Sequence, residues 1–150
     1  MRYLKGTKNY KLKNSTNDSP QLHGYSAADC ASDIGKRSSC MGYLLKISNS
    51  AITWASKRQP TVELSSTEAK YMAMSSAVQE AVWLKQLSGE LDHSGGSSIQ
   101  LYGDNKITIK LAETDGFRPR SKHIDIKYGH LRETVEKWII SIKYTANLRK

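Results

Sequence analysis

An α/β domain with a mixed five-stranded sheet flanked by helices is the fold class that this sequence predicts. Three observations predict it. Residues 21–56 hold three short strand-like stretches separated by turn residues, and a long stretch of helical periodicity follows, opening at Ser65 or Ser66. Two more strand-like stretches, 99–104 and 138–144, alternate with helical ones. The order strand, strand, strand, helix, strand, helix, helix, strand, with no internal repeat, is that of one layered α/β domain. A length of 150 residues and a hydrophobic content of 38% suit a single domain with a real core.

Each element has a local reason. Met1 to Lys13 is too short and too basic to bury much, and Asn14 to Pro20 has the Ser, Asn and Asp content of a loop, which puts a boundary near residue 20. Gln21 to Asp29 alternates as a first strand, and Asp33 to Ser39 is turn-like. Met41 to Ser48 and Ala51 to Ser56, joined by Asn49-Ser50, complete an antiparallel meander. From Ala69 to Leu91 the residues Ala69, Met72, Ala73, Ala77, Val78, Ala81, Leu84, Leu87 and Leu91 recur mostly at spacings of three and four, the pattern of one long amphipathic helix. Ser94 to Ser98 reads as a hinge, and Ile99 to Asp104 as a fourth strand ending on an acid. Asn105 to Glu113 is a short helix, Thr114 to Arg120 a loop, Lys122 to Lys137 a second amphipathic helix and Trp138 to Tyr144 the last strand. Trp54, Trp83 and Trp138 fall on these elements and are expected to fill the core.

Charge and cysteine content narrow the function classes. A formal net charge of +9, from 23 Lys and Arg against 14 acids, favours an anionic partner such as nucleic acid. Cys30 and Cys40 have neither metal-ligand spacing nor the density of a disulfide framework, which points to a reducing, intracellular setting rather than secretion. No apolar run approaches the roughly 20 residues of a membrane span, so no membrane partner is expected.

Two acids stand out by position. Glu68 lies in the first turn of the long helix, where a carboxylate is favoured by the unpaired N–H groups; it reads either as a capping-box acid or, if other carboxylates converge on it, as a site acid. Asp104 lies at the carboxyl end of a strand, outside which ligands bind in sheets flanked by helices. Lys57, Arg58, Arg120, Lys122 and His123 lie between and after these acids and are candidates to grip phosphates without reading sequence, against the plainer reading of a solvated basic surface. Asp125 sits near a helix start and reads as a structural acid.

Five ordered stretches resemble the ribonuclease H domain at the end of the Pol polyprotein of copia-type LTR retrotransposons. Arg2-Tyr-Leu-Lys-Gly-Thr7 is similar to the segment linking reverse transcriptase to that domain, and Gly24-Tyr25-Ser26 opens its Gly-Tyr-Ser-Asp-Ala-Asp-Trp-Ala motif. Gln59-Pro60-Thr61 with Leu64-Ser-Ser-Thr-Glu-Ala69 and Tyr71-Met-Ala73 resembles the signature around its glutamate. Gly103-Asp104-Asn105 is similar to its Cys-Asp-Asn, and Ser121-Lys-His-Ile-Asp-Ile126 to its Thr-Lys-His-Ile-Asp-Ile.

The resemblance implies a ribonuclease H-like fold over residues 21–150, incomplete at its carboxyl end. Residues 1–20 would be a remnant of the connection to an upstream reverse transcriptase. The implied setting is cytoplasm or a virus-like particle, and the implied substrate is RNA paired with DNA. Such domains use four acids to hold two Mg²⁺ or Mn²⁺ ions at the scissile phosphate, which is the chemistry that hard oxygen ligands suit. Carried over by motif, two acids are present as the catalytic and metal-binding pair Glu68 and Asp104. The first aspartate falls on Ala27, and the fourth is missing because Tyr144-Thr-Ala-Asn-Leu-Arg-Lys150 has no acid after Leu148. Asp29 is on the same strand face as Ala27 but roughly 6.5 Å further along, and is the candidate replacement. Cys30, Ser32 and Lys70 stand where the family has Trp, Gly and usually Glu. The expected outcome is a weakened metal site and a domain whose catalysis is impaired, with a folded relic or a basic nucleic-acid-binding module as the alternatives.

Overall fold

The computed structural model describes residues 2–11, 21–29, 39–59, 66–91, 98–113, 122–137 and 139–146, with side chains in the last helix described from Ile126 onward. A short exposed helix, α1 (Arg2–Gly6), precedes the sheet and buries none of its residues. The expected strands follow as β1 (Leu22–Asp29), β2 (Cys40–Ile47) and β3 (Ser50–Arg58), then the helix α2 (Ser66–Glu90). After it come β4 (Ile99–Gly103), α3 (Lys106–Glu113), α4 (Lys122–Glu136) and β5 (Ile140–Tyr144). The expected hinge at residues 94–98 and the turn at residues 33–39 lie mostly outside the described residues.

The sheet order is β3-β2-β1-β4-β5. The meander β1–β2–β3 is antiparallel, whereas β4 joins β1 in parallel and β5 joins β4 in parallel, so the five-stranded sheet is mixed as expected. The β2–β3 turn differs from expectation by one residue: Ser50 already pairs with Ile47, leaving Ser48 and Asn49 to turn the chain. Ser48 takes the left-handed conformation that this requires, with φ of 52°.

Helices α2, α3 and α4 bury the same face of the sheet. Leu45, Leu101, Ile140 and Ile142 from the strands close on Tyr71, Met74, Ala77, Val78 and Ala81 of α2, Ile109 and Ala112 of α3, and Tyr128 and Leu131 of α4. Gly24 lets the side chains of Leu45 on β2 and Leu101 on β4 close over β1, since a Cβ there would run into both and lie 3.1 Å from the Leu44 carbonyl oxygen. Two expectations about α2 need correction. Its first half is not amphipathic: Ala69, Tyr71, Met72, Ala73, Met74, Ser75, Ala77 and Val78 are all buried, because the helix packs on β1 and β2 and is covered in turn by α3 and α4. Leu91, at its far end, is exposed.

The tryptophans are the clearer correction. Trp54 is 66% and Trp83 53% exposed, so neither fills the core. Thr53 turns toward α2, its hydroxyl donating to Glu80 at 3.2 Å, and the alternation of a strand then sends Trp54 to the opposite face. Trp138 lies outside the described residues.

Candidate functional site

β1, β4 and β5 run in parallel, and β3 runs in the same direction as β1, so the carboxyl ends of four strands meet at one end of the sheet. Ser26 of β1 is in register with Gly103 of β4. The next residue on each strand, Ala27 and Asp104, therefore opens onto the same small cleft, which Lys70 and Met74 of α2, Asn105 and Thr108 also line. A strand end carrying an acid, as the sequence suggested, has become the floor of a concave site.

Asp104 sits between β4 and α3, and Asn105 fixes the exit. The Asn105 Oδ1 accepts from the backbone N–H of Ile107 at 2.8 Å and of Thr108 at 3.3 Å, capping α3 as an Asn at this position does. From the other side, Lys70 donates its ammonium to Asp104 Oδ2 at 3.0 Å. Met74, one turn on, lies close above the strands: the Ser26 hydroxyl points at its sulfur at 3.5 Å, and a Cβ on Gly103 would come within 2.5 Å of its terminal methyl.

Gln59 sets where α2 begins relative to the sheet. It is buried, its backbone N–H donates to Ser39 at 2.8 Å, and its side-chain N–H donates to the Ala69 carbonyl at 2.9 Å, tying the end of β3 to the residue before Lys70. Thr108 is 2% exposed, and its hydroxyl has no hydrogen-bond partner among the described residues.

The sequence candidates distribute unevenly around this cleft. Asp104 lines it and Ala27 faces it, but Glu68, though in the first turn of α2, is not among the lining residues. Positions two apart on a helix point about 200° away from each other, so the α2 side chain turned to Asp104 is Lys70. Asp29 is exposed at the end of β1 and outside the cleft, in register with Cys40 and through it with Arg58. Lys57 and Arg58 are exposed at the end of β3, at the same end of the sheet but with β2 and β1 between them and β4. Arg120 and the side chains of Lys122, His123 and Asp125 lie outside the described residues. At the far edge Lys106 sits over the Tyr144 ring, 4.8 Å from its centroid, a cation that the sequence did not single out.

The donor set among the described residues does not fit a pair of divalent ions. Among the described residues no three His, Cys, Asp or Glu side chains group so as to hold a metal. Among the described residues, the one acid that lines the cleft is already bonded to an ammonium, and the one orphaned polar atom beside it is a neutral hydroxyl. Of the residues missed from sequence, Asn105 was legible as a helix-capping type before a helical run. Lys70 was legible only as a departure from a familiar motif, and Gln59 carried no local signal.

Comparison with known proteins places this geometry in context. No family model matches the chain. The chain is 40% identical over 136 residues, 91% of its length, to a retrovirus-related Pol polyprotein from transposon TNT 1-94 of Nicotiana tabacum, of which it spans 10%. It is 50% identical over 84 residues, 56% of its length, to secreted RxLR effector protein 161 of Plasmopara viticola, of which those residues make up 59%. Among solved structures it is similar to RNase H1 from the halophilic archaeon Halobacterium salinarum, with a TM-score of 0.52 at 17% identity, covering 83% of this chain and 85% of that one. It is also similar to the foamy viral protease-reverse transcriptase in complex with RNA/DNA hybrid, with a TM-score of 0.58 at 18% identity, covering 99% of this chain and 18% of that one. At these identities the structures speak to the fold alone.

Proposed function

We propose that this chain, which is homologous to a segment of transposon Pol polyproteins and has the ribonuclease H fold, is a ribonuclease H-like domain that binds RNA–DNA hybrid without cleaving it efficiently. Residues 1–20 would belong to the connection toward an upstream reverse transcriptase. The cleft at Asp104 is the remnant of the reaction centre, and Lys57 and Arg58, with Arg120, Lys122 and His123, are the candidates for phosphate contacts.

The observation that carries this reading is the juxtaposition in the cleft: Asp104 at the end of β4, with Ala27 where β1 would have to supply a second carboxylate. A hybrid phosphodiester needs a cluster of acids to gather two cations, and groups that act as a unit lose most of the rate when one is removed. The residues present support substrate binding better than hydrolysis, and they do not fit the Mg²⁺ or Mn²⁺ pair that active ribonucleases H use. Glu68 and Asp29 are the acids that could serve in a reorganised site.

A paired assay tests this. Fluorescence anisotropy with a labelled RNA–DNA hybrid is expected to show binding at low salt, and gel analysis of the same hybrid with Mg²⁺ or Mn²⁺ is expected to show no cleavage above background. Cleavage that Asp104→Asn abolishes would overturn the impaired reading, and absence of hybrid binding at low salt would overturn the substrate assignment.

A further inference from the structure

We infer that the Lys70 ammonium is the resident cation of this cleft: a tethered counter-charge that holds Asp104 where a divalent ion would otherwise sit, so that the site is neutralised from within. The inference rests on the ribonuclease H-like reading above and assigns Lys70 a role that the fold alone does not. Three observations carry it.

The first is the ion pair. Lys70 Nζ and Asp104 Oδ2 are 3.0 Å apart, with the two side chains only 24% and 31% exposed. Shielded to that extent, a charge-assisted hydrogen bond is screened less by salt and water than one on open surface.

The second is helical register. On α2 the position that meets Asp104 is 70, and Glu68, two residues earlier, points about 200° away from it. Position 70 therefore decides the sign of the charge facing Asp104. A carboxylate there would stand beside a carboxylate and make an acidic pair; the lysine makes a neutral one.

The third is the remainder of the lining. Among the described residues, Ser26, Ala27, Met74, Gly103, Asn105 and Thr108 bring no further anion, and Gln59 holds the start of α2 so that Lys70 is aimed inward. The buried Thr108 hydroxyl, without a hydrogen-bond partner among the described residues, is a neutral oxygen that brings no negative charge to offset a dication. A divalent ion approaching Asp104 would either break the Lys70 bond or remain next to its positive charge, and both oppose binding.

Calorimetric titration of the full 150-residue chain with MnCl₂ tests the inference, with circular dichroism to establish that each variant is folded. The wild type is expected to show no saturable uptake below about 1 mM, the weak end of protein sites for hard cations. Lys70→Glu is expected to bind Mn²⁺ at least roughly ten-fold more tightly, and the gain is expected to vanish in Lys70→Glu with Asp104→Asn. Lys70→Gln, which removes the charge at little change of shape, is expected to fall between the two. Saturable binding by the wild type that Asp104→Asn abolishes would overturn the inference. So would folded Lys70→Glu and Lys70→Gln variants that gain nothing, which would make the pair an ordinary ion pair with no bearing on cations. Hybrid anisotropy on the same samples separates this from the parent reading. Hybrid bound with no gain in Mn²⁺ uptake sinks the Lys70 assignment alone, whereas a gain in Mn²⁺ uptake with no hybrid bound sinks the substrate reading alone.

Discussion

Tyr71 and Tyr128 stack face to face, ring centroids 3.6 Å apart and planes 9° from parallel, and by this contact α4 is locked onto α2. Tyr71 is fully buried and its neighbour Lys70 reaches Asp104, so the same turn of α2 serves both core and cleft. Tyr71→Ala is expected to cost about 3–5 kcal/mol, as for other large aromatic truncations in cores, and to weaken the α2–α4 contact; thermal or urea unfolding measures it. Tyr71→Phe keeps the ring, and since the hydroxyl reaches the Tyr128 carbonyl only at 3.5 Å, it is expected to cost less than about 1 kcal/mol.

The same phenol makes stability depend on pH in the alkaline range. Burial first, and the neighbouring Tyr128 second, push the Tyr71 phenol well above its ordinary range, with Arg132 opposing weakly. The unfolded chain therefore releases this proton first, near pH 10. The contribution is whole below about pH 10 and is lost as pH rises through the folded value. Tyr43 acts in the same direction through burial and Glu80. Urea midpoints followed upward from pH 9 are expected to fall in the wild type and to fall less in Tyr71→Phe; equal slopes would contradict the assignment to Tyr71.

Two glycines are expected to respond differently to the same methyl group. Gly24→Ala presses on two core side chains and on the Leu44 carbonyl, none free to leave, and is expected to cost about 1–3 kcal/mol. Gly103→Ala meets only the end of the flexible Met74 side chain, and a smaller loss is expected. Equal losses in denaturant unfolding would show that Met74 has no room to move.

Trp54 lies on an edge strand with most of its ring in solvent. Trp54→Lys is expected to change stability by no more than about 0.5 kcal/mol while making the β3 edge less prone to pair with other chains. A large loss of stability would reveal that something covers this face.

Hybrid affinity, if it comes from phosphate contacts, is expected to fall linearly on logarithmic axes as salt rises and to be indifferent to sequence. Replacing Lys57 and Arg58 together by Ala is expected to reduce the magnitude of that slope by about 2. An unchanged slope would exclude the end of β3 from the contact.

The sequence by itself determined the five strands and the helices α2, α3 and α4, though not the short α1, because period-two and helical patterns, turn residues and caps act within a few residues of chain. Asn105 before α3 and the meander of β1, β2 and β3 were legible for that reason. Asp104 was legible as well, as an acid closing a strand, and so was the apolar Ala27 on β1, since both concern which residue stands at a given position. Only the tertiary structure decided which side chains meet. Trp54 faces solvent because the edge strand presents Thr53 to α2, a choice of face that alternation permits but does not make. The first half of α2 is buried on more than one side because α3 and α4 return to cover it, which no pattern within the helix contains. Lys70 meets Asp104 because the phase of α2 against β4 is fixed by remote packing, at Gln59, Met74 and Tyr71. A helix of 3.6 residues per turn converts that phase into which side chain, and so which charge, meets Asp104.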